Sequence, residues 1–309
     1  MGNNMTVIMF SGQGAQYTGM GRELFDHSQA ARGVFEMAEK IRPGTMEQCF
    51  SGSEEELAKT INTQPCLYCV DLAAAAALKE AGVIADILAG FSLGELAALA
   101  FSGAATYEDG FRLVCKRAEF MQQSAQSANA QMVAVLKLSD DAVIALCNEF
   151  SNVYPANFNC PGQVAVAGLV DELGAFAARV KETGGRAIPL KTSGGFHSPF
   201  MEDASKLFVK ELEQYEIIQR SIPVYSNMTA KTYEGDIKEL LAKQLCSPVL
   251  WQAAVANMIT AGAAAFIEAG PGKTLCGLVS RISDEVSVYN VEDVTSLEKT
   301  VKDCRARHP

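Results

Sequence analysis

Residues 90–94 read Gly-Phe-Ser-Leu-Gly, a G-x-S-x-G pattern. Glycines around a serine permit a tight strand-to-helix turn that lifts the hydroxyl clear of a sheet edge. The amide of Leu93 then points at the same spot from a helix N-terminus, where partial positive charge favours an oxyanion. The flanks suit such a turn, with an apolar run at 84–89 before it and a Leu/Ala-rich stretch at 93–101 after it. A serine is a poor nucleophile without a base in hydrogen-bond reach. The chain has three histidines: His27 in an early polar segment, His308 as the penultimate residue, and His197 in the Gly-rich loop 193–200. Catalytic side chains commonly sit on loops carried by a rigid scaffold, which favours His197 as the base over a surface histidine with no partner. No carboxylate in the sequence stands out as its orienting acid.

Two more positions suit a reaction at Ser92. Gln13 lies in the turn Ser11-Gly12-Gln13-Gly14, directly after a strand-like run at 6–10. In an α/β sheet such a turn falls at the carboxyl ends of the strands, where ligands bind. Its amide is a candidate second oxyanion donor. The competing reading is a phosphate-binding loop, but Tyr17 stands where G-x-G-x-x-G needs its third glycine. Arg117 falls in a helical pattern, where an arginine ordinarily stays in solvent. Turned toward a pocket, it would offer a planar fork to a carboxylate. The nine cysteines are irregularly spaced with a single C-x-x-C at Cys66 and Cys69. That reads as buried free thiols rather than a zinc or redox site.

The elements around these positions alternate. A strand at 6–10 is followed by helical patterns, including 65–81 with Pro65 suited to its first turn. A strand at 84–89 and helices at 93–101 and 107–125 come next. Strands alternating with helices predict an α/β fold with a parallel sheet covered on both faces. The middle of the chain differs: strand 132–138, helix 139–150 capped by Ser139, strands 153–157 and 163–167 around an Asn-Cys-Pro-Gly turn, helix 170–183 and strand 186–191. That β-α-β-β-α-β order is the split unit of ferredoxin-like domains. It predicts a small domain at 128–193 inserted into a body formed by 1–127 and 194–309. Strands at 222–226, 264–268 and 286–291 and helices at 237–245, 251–261 and 274–282 complete the body.

Composition bounds the rest. The 309 residues are 49% hydrophobic and 20% charged, which excludes collagen-like, low-complexity and disordered classes. A net charge of −10 argues against a nucleic-acid binder. The most apolar region, 83–105, is broken by Asp86 and Glu95 and reads as core rather than a membrane span. The start has no basic segment followed by an apolar one, so a cytoplasmic location is expected.

Seven phrases, in order, resemble a known family: Gly12-Gln13-Gly14-Ala15-Gln16, Gly90-Phe91-Ser92-Leu93-Gly94-Glu95, Arg117 with Phe120-Met121-Gln122, Phe158-Asn159-Cys160-Pro161-Gly162-Gln163, Phe196-His197-Ser198, Ser247-Pro248-Val249-Leu250-Trp251 and Glu268-Ala269-Gly270-Pro271-Gly272. They look like the malonyl-CoA:acyl carrier protein transacylases, and acyltransferase domains of polyketide synthases share the pattern. The resemblance spans about residues 6–282. It implies an α/β-hydrolase-like body with a ferredoxin-like insert. Ser92 would attack the malonyl thioester with His197 as base, and the amides of Gln13 and Leu93 would hold the oxyanion. Coenzyme A would leave, and the acyl group would pass to the phosphopantetheine thiol of acyl carrier protein. Arg117 would bind the free carboxylate, and a backbone carbonyl in 248–251, with Leu250 the candidate, would orient the histidine. Phe91, Met121, Asn159 and Phe196 are candidate pocket residues. The resemblance further implies a monomer with no metal or resident cofactor, coenzyme A entering as the substrate thioester, and a role in fatty acid synthesis.

Two positions depart from the family pattern. Phe91 stands where the family usually has His, which bears on pocket polarity and acyl choice, and Ser11 stands where Pro is common. The alternatives are a trans-acting polyketide acyltransferase, a serine esterase or acyl hydrolase with the same Ser-His pair, and a non-catalytic carrier-binding scaffold. An esterase would carry an HGGG-type loop, which is missing. A scaffold would need neither Ser92 nor His197. Because the chain and a typical carrier protein are both acidic, docking requires a local basic patch, for which Lys181, Arg186 and Lys191 are candidates.

Overall fold

The computed structural model describes residues 4–218 and 221–307, so His308 lies outside the described residues. The strands are β1 (Met5–Phe10), β2 (Ile87–Gly90), β3 (Ala130–Leu136), β4 (Val153–Cys160), β5 (Gln163–Leu169), β6 (Arg186–Pro189), β7 (Val224–Tyr225), β8 (Ala263–Ala269) and β9 (Ser287–Val291). The helices are α1 (Arg22–His27), α2 (Gln29–Ile41), α3 (Thr45–Ser51), α4 (Glu54–Leu57), α5 (Thr60–Glu80), α6 (Gly94–Phe101), α7 (Tyr107–Ser127), α8 (Asp140–Cys147), α9 (Val170–Glu182), α10 (Glu202–Leu212), α11 (Ile237–Lys243), α12 (Trp251–Thr260), α13 (Thr274–Ile282) and α14 (Val294–Arg307).

Five strands form a parallel sheet in the order β7-β2-β1-β8-β9, and four form a separate antiparallel sheet in the order β4-β5-β3-β6. The fold is mixed α/β. β1 lies at the centre of the parallel sheet, and its run Val7–Phe10 is apolar at every position because both faces are covered. Ile8 and Phe10 face a core built on α5 and its neighbours, while Val7 and Met9 face a second core with Trp251 and Phe266. α5 is buried along 63–78 without interruption, as expected of a helix enclosed on all sides. The antiparallel sheet closes a third core with α8 and α9, including Val135, Val166 and Phe176.

The differences from the sequence reading have local causes. α5 starts at Thr60, so Pro65 stands inside the helix rather than in its first turn. The added turn begins when the amides of Asn62 and Thr63 bond to the Lys59 carbonyl, each at 2.8 Å. β2 starts three residues later than expected because Ile84 is 79% exposed and the chain enters the sheet only where the Asp86 amide bonds to the Thr6 carbonyl at 2.9 Å. α14 was not anticipated; it packs Leu297 and Val301 onto the body. Six of the nine cysteines are buried and three half-buried, all as free thiols.

Candidate active site

Strand register brings two turns together. Phe10 at the end of β1 pairs with Gly90 at the end of β2, and the Phe91 amide donates to the Phe10 carbonyl at 3.0 Å. The chains leave the sheet side by side, one into the turn 11–14 and the other into the turn at Ser92. That second turn has no room for a Cβ at its glycines. One built on Gly90 would fall 1.9 Å from the Gly94 carbonyl carbon, and one on Gly94 would fall 2.4 Å from the Phe10 oxygen. Ser92 takes φ 56°, a left-handed conformation that costs a non-glycine residue about 1–2 kcal/mol. Its surroundings hold it there. The Ser92 amide donates to Asn227 Oδ1 at 2.7 Å, Asn227 Nδ2 donates to the Gly90 carbonyl at 2.6 Å, and Gln244 Nε2 donates to the Ser92 carbonyl at 2.8 Å.

His197 arrives on the loop after β6, also at φ 56°, with its amide bonded to the Leu245 carbonyl at 3.1 Å. Its Nδ1 lies 2.9 Å from the Gln244 carbonyl. A carbonyl only accepts, so Nδ1 carries the proton and Nε2 presents a lone pair. Nε2 is 2.7 Å from Ser92 Oγ, which donates to it. The carbonyl that orients the ring is therefore that of Gln244, not of Leu250. Leu250 caps α12, and its carbonyl is taken by the Ala254 amide at 2.9 Å. Burial pulls the imidazole down to about 4, and the Arg117 charge adds to this against the Gln244 and Ser247 carbonyls.

Arg117 projects from α7 and is 1% exposed. Its Nη1 donates to Gln64 Oε1 at 2.7 Å; its Nη2 donates to Gln244 Oε1 at 2.8 Å and to Ser92 Oγ at 3.1 Å. Nε is buried without a partner, and among the described residues Arg117 forms no ion pair. Burial lowers its guanidinium to about 10, opposed by Glu95, so it stays charged at neutral pH. A buried cation with only neutral partners is costly, and an anion entering beside it would offset that cost.

Ser92 and His197 open onto a cavity of about 270 Å³ between the two sheets. Gln13 and the four expected pocket residues, Phe91, Met121, Asn159 and Phe196, all line it; Arg117, Leu93 and Leu250 do not. The Phe91 ring meets the Trp251 ring edge-on, with centroids 5.5 Å apart. The amides of Gln13 and Leu93 donate to no acceptor among the described residues. Of the three proposed docking cations, all exposed, only Lys191 adjoins the cavity, lying between its lining residues Leu190 and Thr192.

Sequence reasoning missed the residues beneath the pair. Gln64, Asn227 and Gln244 hold Arg117, Ser92 and His197, and all three belong to segments with no catalytic signature. Glu95 lay within a recognised phrase without a role. Its fully buried carboxylate accepts from the Tyr233 hydroxyl, from Gln244 Nε2 at 2.7 Å and from the Asn227 amide at 3.2 Å. Burial raises it to about 7 against those hydrogen bonds and the Arg117 charge.

The fold and this arrangement suit an acyltransferase. Residues 7–308 match the acyl transferase domain family, and the chain belongs to that family. It is 36% identical over 304 residues to a malonyl CoA-acyl carrier protein transacylase of Bacillus subtilis strain 168, covering 96% of each chain. A malonyl CoA-acyl carrier protein transacylase structure from Clostridium perfringens ATCC 13124 superposes with a TM-score of 0.94 at 39% identity, covering 98% of both chains. A malonyl-transacylase solved in complex with its type II polyketide synthase acyl carrier protein gives a TM-score of 0.93 at 30% identity, covering 97% of this chain and 100% of that one.

Proposed function

We infer that this chain carries a malonyl group from malonyl-CoA to the phosphopantetheine thiol of an acyl carrier protein through an ester on Ser92. The observation that carries the reading is that one oxygen, Ser92 Oγ, meets both a base at 2.7 Å and a buried guanidinium at 3.1 Å. Ser92 Oγ attacks the thioester carbonyl carbon while its proton passes to His197 Nε2. The oxyanion takes hydrogen bonds from the Gln13 and Leu93 amides. Its collapse breaks the carbon–sulfur bond, and the departing thiolate receives the proton from Nε2. The carrier thiol then gives its proton to Nε2 and attacks the ester, and the released Ser92 oxygen is reprotonated. Arg117 pairs with the free carboxylate throughout, and the Gln244 carbonyl keeps the imidazole in the tautomer that both half-reactions use.

Residues 128–193 form a ferredoxin-like small domain in this reading, and residues 1–127 with 194–309 form an α/β-hydrolase-like body. The separate core of the antiparallel sheet and its strand order support that division. We assign the activity to fatty acid synthesis. The likeness to a transacylase bound to a polyketide carrier favours a polyketide carrier as the second reading. Steady-state transfer from malonyl-CoA and acetyl-CoA, with Arg117→Ala beside the wild type, tests the role of the guanidinium. Malonyl transfer by the variant should fall by about 100-fold, the worth of a buried charge-assisted pair, while acetyl transfer changes little. Equal losses with both donors would contradict carboxylate binding by Arg117.

A further inference from the structure

Behind the turn that carries Gln13 lies a carboxyl group that no step above uses. Asp71 stands midway along α5 with no exposed surface. Ser11 Oγ donates to its Oδ1 at 2.7 Å, while its Oδ2 has no partner among the described residues. The backbone after β8 presses on the same pair: a Cβ on Gly270 would fall 2.0 Å from Asp71 Oδ1 and 3.0 Å from Ser11 Oγ. On the other side of the turn, a Cβ on Gly12 would fall 2.8 Å from both the carbonyl oxygen and a ring carbon of Phe91. The segment from Ser11 to Gly14 is therefore confined against Phe91 and tied at its root to α5. The Gln13 amide follows directly after those two restraints.

We propose that Asp71 is a positioning residue for acyl transfer: through its hydrogen bond to Ser11 it fixes the turn so that the Gln13 N–H faces the developing oxyanion. The inference rests on the function proposed above. Oxyanion donors act by being held in place before the charge develops, so a turn free to shift would lose rate rather than substrate affinity. The surroundings also define the form of the group. Burial pushes the Asp71 carboxyl well above the usual carboxylate range; the Ser11 hydrogen bonds oppose the shift, and the charge of Glu268 adds to it. No cation pairs with Asp71 among the described residues. The Ser11 hydrogen bond needs only an acceptor at the Oδ1 position, and the uncharged amide of an asparagine offers one in the same place.

The test compares wild type, Asp71→Ala, Asp71→Asn and Ser11→Ala for the rate of malonyl ester formation on Ser92, followed by quenched-flow and intact mass, together with KM for malonyl-CoA. Asp71→Ala and Ser11→Ala should slow the step by roughly tenfold or more with KM unchanged, short of the full loss of an oxyanion donor. Asp71→Asn should recover most of that rate. A general packing defect would not give recovery by asparagine together with an unchanged KM. If Asp71→Ala fails to fold, Ser11→Ala, which deletes one oxygen, decides with Asp71→Asn. Wild-type rates in Ser11→Ala, or an Asp71→Asn as slow as Asp71→Ala, would overturn the proposal. A wild-type enzyme that forms no ester at all would instead overturn the proposed function.

Discussion

At the scale of residues, the chemistry depends on an imidazole kept neutral beside a permanent cation. Burial and the Arg117 charge hold His197 near 4, so at neutral pH its Nε2 is free to take the Ser92 proton. With acetyl-CoA, which brings no carboxylate, kcat/KM should stay level as pH falls from 7 and decline only near pH 4. Arg117→Ala should move that decline upward toward 6.5, the ordinary histidine value. A pH–rate profile of both enzymes checks this, and coincident acid limbs would show that the guanidinium does not act on the imidazole. The same shifts bear on stability with opposite signs. His197 binds its proton less readily when folded, so its contribution is lost as pH falls from 6.5 through 4. Glu95, raised from 4.5 to about 7, binds its proton more readily when folded, so its contribution is lost as pH rises through 7.

At the scale of elements, the site depends on how closely β1, β2 and α6 approach. A methyl at position 94 would fall 2.4 Å from the Phe10 oxygen and 2.6 Å from the Ser11 oxygen, both backbone atoms with no freedom to rotate away. Gly94→Ala should cost about 3 kcal/mol or more and disrupt the turn. Gly174→Ala in α9 and Gly277→Ala in α13 meet nothing within 4 Å and should each gain about 0.5–1 kcal/mol. Urea denaturation separates the cases; a Gly94→Ala as stable as the other two would contradict the packing described. These glycines also show what the sequence made legible. Gly90 and Gly94 announce their turn because nothing else fits there, and the alternation of apolar runs revealed both sheets. His197 stood out by scarcity. The parts that stayed hidden act through polar contacts across long separations: Gln244 reaches Ser92 over 152 positions, and Asn227 over 135. No local pattern marks a residue whose partner is so distant. The resemblance implied a carbonyl within 248–251, with Leu250 the candidate, but the Leu250 carbonyl is taken by the first turn of α12 and the one that faces His197 belongs to Gln244, six residues earlier.

At the scale of the whole molecule, the cavity lies where the two sheets meet, with walls from Met132, Asn157 and Ala165 of the antiparallel sheet facing turns that leave β1 and β2. The antiparallel sheet is also tied to the segment that leads into α12. The Phe158 amide bonds to the Val249 carbonyl, and the Val249 amide to the Ala156 carbonyl, each at 2.9 Å, a few residues beyond Gln244. A transferase of this kind must keep water from its ester for longer than a carrier thiol takes to arrive. Apolar walls supplied by Phe91, Met121 and Phe196 give that protection a physical basis, and the carboxylate pairing proposed for Arg117 would add to it. The most direct measurement is intact mass after mixing the protein with malonyl-CoA alone, with Ser92→Ala as control. The wild type should gain the mass of one malonyl group, hold it, and lose it when phosphopantetheinylated carrier protein is added, while Ser92→Ala gains nothing. Steady release of free malonate without any carrier, or an adduct that forms equally on Ser92→Ala, would contradict the account.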